Sequence, residues 1–134
     1  MVKTYIAQTL VGDSLVKKLL ITLLLISPFS FADWGDVYYC QMTSHSGITL
    51  EGERTNYKLE KFTFKLDETT NAMVFGKSGI FKNFVMQVEG FYPPAEEWLA
   101  SGYVSKGHFE EGKFLYAIVT SFGGTMLSAN CDKF

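Results

Sequence analysis

Residues 103–131 read YVSKGHFEEGKFLYAIVTSFGGTMLSANC, and their pattern decides the fold. Tyr103 to Phe109, Phe114 to Phe122 and Thr125 to Cys131 are three runs rich in β-branched and aromatic residues. Glu111-Gly112 and Gly123-Gly124 separate them. Glycine at such points supplies the positive φ that tight hairpin turns need. Three short runs joined by two tight turns predict an antiparallel three-stranded meander.

The pattern continues upstream. Phe62, Phe64 and Leu66 alternate with Thr63 and Lys65, Asp67 to Asn71 is a polar turn, and Met73-Val74-Phe75 is the return strand. Gly76 to Gly79 turns again, and Phe84, Met86 and Val88 then alternate with Val85, Gln87 and Glu89. Val37 to Met42 opens the domain and runs to the turn-prone Ser44 to Gly47. Pro93-Pro94 stops a strand, because proline cannot donate to a ladder. The stretch after it predicts one short helix near 94–100, with Pro94 at its start and Trp98-Leu99 against the core. Six to eight short strands with local turns predict an all-β domain, either a small antiparallel barrel or a two-sheet sandwich.

The start of the chain has a different character. Lys17-Lys18 precedes Leu19 to Ile26, where only Thr22 is not apolar, and Ser27-Pro28 and Ser30-Phe31-Ala32 follow. A basic region, a short apolar core and small residues at −3 and −1 form a secretory signal, so residues 1–32 are expected to be cleaved before Asp33. The apolar run is too short for a bilayer core, which takes about 20 residues. A lipid-modified cysteine is not expected, because Asp33 takes the first mature position and Cys40 is the first cysteine. Met1 to Ser14 is a long lead-in containing the acidic Asp13. Translation is therefore expected to begin at Leu15 or Val16, leaving residues 1–14 unmade.

The expected mature chain, 33–134, is a single domain of about a hundred residues. It contains nine Lys and Arg against thirteen Asp and Glu, an acidic excess of four. No basic patch is available to track a phosphate backbone or an anionic membrane, so neither nucleic acid nor a lipid surface is an expected partner. Eighteen aromatic residues supply a core that needs no metal or cofactor. Cys40 and Cys131 are the only cysteines. In an oxidising compartment such a pair reads as a disulfide, and neither has a Cys-x-x-Cys partner or adjacent His that would make it reactive.

Catalytic patterns are sparse. The acidic pairs Asp33/Asp36, Glu51/Glu53, Glu96/Glu97 and Glu110/Glu111 all fall in expected loops or turns, where solvated charge accounts for them. His45 and His108 are the only histidines. His108 and Glu110 share one strand face two residues apart, but a metal site needs further ligands that the local sequence does not supply. No Gly-x-Ser-x-Gly or phosphate-loop spacing occurs, and Asp67 to Asn71 lacks calcium-loop spacing.

Tyr38-Tyr39-Cys40 and Asn130-Cys131 resemble the ends of the periplasmic inhibitors of c-type lysozyme, short β-barrels that begin with Tyr-x-Cys and close with Asn-Cys. Ala100-Ser101-Gly102-Tyr103 and Ser105-Lys106-Gly107 are similar to that family's Ser-Gly and Lys-Gly motifs, whose serine and lysine reach into the lysozyme active site. A strand and turn separate the two motifs in the family, whereas here they run together. The resemblance implies partner binding through Ser101 and Lys106, with Tyr103 beside them.

The leading expectation is an exported, periplasmic or secreted domain that binds a protein or envelope component without catalysis. Two alternatives stand beside it: a carrier holding a small hydrophobic ligand inside a barrel, and a small hydrolase using a carboxylate pair.

Overall fold

The structure is a computed structural model that describes residues 32–92 and 97–134. Nearly all of the expected leader, and residues 94–96 of the expected helix, lie outside them. Nine strands are described: β1 (Val37–Thr49), β2 (Arg54–Asn56), β3 (Lys61–Asp67), β4 (Ala72–Phe75), β5 (Val85–Tyr92), β6 (Glu97–Ser101), β7 (Ser105–Glu110), β8 (Lys113–Thr120) and β9 (Gly123–Lys133). All their pairings are antiparallel. From β3 each strand pairs with the next, and β9 returns to β1, so eight strands close a barrel while β2 adds to β1 outside the ring. Of the two expected architectures the chain adopts the barrel, which leaves few edges unpaired.

Strand β1 joins these parts. Its first half, Val37 to Gln41, pairs with Lys61 to Lys65 of β3, and its second half, Ser46 to Ile48, pairs with β2. A bulge between Met42 and Ser44 separates the halves. A bulge bends a strand and increases its twist. The expected turn at Ser44 to Gly47 is therefore strand, held in register by β9 along its whole length.

The expected helix over 94–100 is corrected in its described part. Residues 97–101 form β6, paired with β5 on one side and β7 on the other. Trp98 and Ala100 point inward while Glu97, Leu99 and Ser101 face outward. Glu, Trp, Leu and Ala all tolerate a helix, but so short a segment gains little from helical hydrogen bonding after the cost of nucleation. Two flanking strands satisfy its backbone instead.

The meander of β7, β8 and β9 has one tight turn at Glu111-Gly112, with φ of 50° and 73°. The second turn lies two residues earlier than expected, at Ser121-Phe122, and Gly123 already pairs with Thr120.

Aromatic side chains fill the barrel. Phe62, Phe64, Phe75, Phe81, Phe109 and Phe114 are all buried, with ring centroids 4.7–6.1 Å apart. Trp98 is fully buried and meets Trp34 edge-on at 4.8 Å. Met42, Met73 and Met86 are buried in the same core, a setting suited to an unbranched, polarizable side chain. An eight-stranded barrel is just wide enough for its own side chains, and these side chains use the space. Across the β1–β9 seam Cys40 stands directly opposite Cys131, and the two form a disulfide with an S–S distance of 2.06 Å. That bond is consistent with an oxidising compartment. Among the described residues no helix is long and apolar enough to cross a membrane.

Candidate functional site

The outward-facing side chains of β5 to β9 gather the residues singled out in the sequence. Ser101 and Lys106 are direct cross-strand partners on β6 and β7. The short turn between them is closed by Gly102 N–H donating to Ser105 O. The Lys106 ammonium donates to Ser101 Oγ at 2.6 Å and to both Glu89 carboxylate oxygens at 3.1 Å. Glu89 reaches this position because the β5–β6 register shifts between Val88 and Gly90, and the extra residue is turned out of the ladder. The Ser101 hydroxyl and the Lys106 ammonium hold the Glu89 carboxyl below its ordinary pKa range. Tyr103, at the tip of the hairpin, is completely exposed and stands apart from this trio.

Cross-strand pairing carries the row onward from Lys106 to Ala117, Met126 and Ser46. A parallel row runs from Leu99 through His108 and Leu115 to Ser128. Leu115, Met126, Val119 and Ile48 are exposed apolar side chains on this side of the sheet. Glu89, Lys106, His108, Leu99, Leu115 and Ala117 line a shallow groove there. The face thus combines a preset charged trio with apolar surface.

His108 has partners that the local sequence did not reveal. Its Nε2 lies 3.2 Å from Glu97 Oε1 and 3.7 Å from Glu110 Oε2. The Glu97 and Glu110 members of the acidic pairs are therefore on strands, facing one imidazole, and not in loops. Sequence reasoning found His108 and Glu110 from their two-residue spacing. Glu97 belongs to the next strand, and only the β6–β7 register brings it in.

The other sequence candidates lie elsewhere. His45 is buried against the Tyr57 ring, with centroids 4.7 Å apart. Asp36 accepts from Lys133 at 2.9 Å, and Glu51 and Glu53 are exposed around the turn that leads into β2. Asp67 caps its own turn by accepting from the Thr70 hydroxyl at 2.6 Å. Beneath the groove, burial pushes the Tyr116 phenol above its ordinary pKa, while the Ser105 hydroxyl acts in the opposite direction.

No family model, curated protein or solved structure matches this chain.

Proposed function

We propose that residues 33–134 form an exported, non-catalytic binding domain that docks a protein through the outer face of β5 to β9. The observation that carries this reading is the Glu89–Lys106–Ser101 trio beside exposed Leu115, Met126 and Val119. A protein interface draws on this combination: apolar contact area next to a few charged groups already fixed in place. The aromatic filling of the barrel favours recognition on the surface over storage of a ligand inside.

The sharpest form takes a c-type lysozyme as the partner, because the resemblance gives the Ser-Gly and Lys-Gly motifs that role. A cation presented on a rigid strand suits a cleft whose chemistry depends on carboxylates. Calorimetry with purified c-type lysozyme tests it. The expected result is micromolar or tighter binding that weakens about tenfold or more in Lys106→Ala, as for the truncation of an interfacial charge. Absence of binding, or an unchanged affinity in that variant, overturns this form. The leader and the disulfide support export, and protease accessibility of the intact protein in osmotically shocked cells measures it.

A further inference from the structure

We propose that Glu97, His108 and Glu110 form a binding site for one divalent transition-metal ion of the zinc type. One ligand atom from each residue lies within 4.8 Å of the others. Zinc bonds to imidazole nitrogen and carboxylate oxygen at about 2.0–2.2 Å, which places tetrahedral ligand atoms about 3.4 Å apart. The His108–Glu97 separation of 3.2 Å already suits that spacing. Rotation of the Glu110 side chain, now 3.7 Å from the imidazole, completes the set.

The charge balance of the cluster is the second reason. Trp98 pairs with Phe109, so the register carries Glu97 to the position opposite Glu110. Like charges directly opposed across a strand pair are destabilising. His108 has only one nitrogen between them and serves both carboxylates. Lys113 pairs with Glu110 across β7 and β8, yet its ammonium donates to Asn130 Oδ1 at 2.8 Å. Among the described residues no Lys or Arg forms an ion pair with either carboxylate. All three side chains are about one-third exposed, which leaves them open to an ion while limiting competition from water.

The frame is rigid. Strands β6 and β7 are each paired on both sides, and the buried Trp98 and Phe109 anchor the backbone from within. One imidazole and two carboxylates suit zinc and its neighbours in the transition series, whereas magnesium and calcium take oxygen ligands. Three protein ligands leave an open coordination position toward solvent. The site lies two residues along β7 from Lys106, and it does not depend on the docking function proposed above.

The test is calorimetric titration of tag-free, metal-free protein with zinc chloride alone and, separately, with magnesium chloride alone. One zinc per chain is expected, with no magnesium binding at a hundredfold higher concentration. His108→Ala and Glu97→Gln should each weaken zinc binding tenfold or more, while Glu53→Gln, in the turn before β2, leaves it unchanged. Nitrogen NMR gives a readout in the unmodified protein, where zinc should shift the His108 Nε2 resonance and leave buried His45 unmoved. The absence of zinc binding, equal binding of magnesium, wild-type affinity in His108→Ala or Glu97→Gln, or an unmoved His108 resonance overturns the proposal.

Discussion

Cutting the seam disulfide should cost this domain a large share of its stability. Cys40 and Cys131 are 91 residues apart in sequence, so the bond holds almost the whole domain in one covalent loop. In the chain-entropy treatment a loop of this length lowers the entropy of the unfolded state enough to add about 4.6 kcal/mol to stability at 25 °C. Typical domains have roughly 5–15 kcal/mol in total, so the uncrosslinked protein should sit near the margin of folding. Cys40→Ala with Cys131→Ala removes the bond without burying a polar group at either position. Urea unfolding followed by tryptophan fluorescence reads out the change, using the buried Trp98 and its neighbour Trp34. The midpoint should fall sharply. The denaturant slope should rise, because an unfolded chain freed of its loop exposes more surface. A loss below about 1 kcal/mol with an unchanged slope would refute the account, since loop closure would not then be the source of the effect.

Two further perturbations test local geometry. Gly123 has φ of 144°, and a Cβ there would run into the Ile48 carbonyl oxygen, so Gly123→Ala should lower stability by about 2 kcal/mol or more. Gly124 has no positive φ and only ordinary contacts, so Gly124→Ala should stay within about 0.5 kcal/mol of wild type, and equal losses in the two urea curves would count against the reasoning. The Glu89 carboxyl is held below its ordinary pKa in the folded protein, first by Ser101 and then by Lys106. Its contribution to stability is therefore present above the ordinary carboxylate range and is lost as pH falls through the lowered value. Carboxyl NMR titration should show the midpoint moving back toward ordinary in Ser101→Ala and Lys106→Ala, and a midpoint unmoved in both would remove the trio as its cause.

The alternating strands were legible because a period of two is hard to mistake once it repeats. Phe62, Phe64 and Leu66 point into the barrel as their spacing requires, and so do Met86 and Val88. The segment containing Trp98 was not legible. Five strand residues offer too few repeats to separate a period of 2 from one of 3.6, and each tolerates a helix. Ser44-His45-Ser46-Gly47 has the composition of a turn, and only pairing with a distant β9 makes it strand. The site divides in the same way. Spacing along one strand found His108 with Glu110, and resemblance found Ser101 with Lys106. Glu97 and Glu89 come from strand register and from a bulge, neither of which a single sequence exposes.

The β1–β9 seam also fixes a sequence of events in time. Strand β9 is the last strand, yet it pairs with β1 from Tyr38 to Thr49. A chain emerging from its N-terminus onward therefore carries a first strand that β2 and β3 cover on one edge and that stays open on the other until β9 appears. Before that moment the growing sheet presents two raw margins, open to pairing with other chains. Closure waits on β9, and the register that sets Cys40 opposite Cys131 belongs to the closed ring. Removing Thr125 to Lys133 would leave an unfinished sheet with no ring and two open margins.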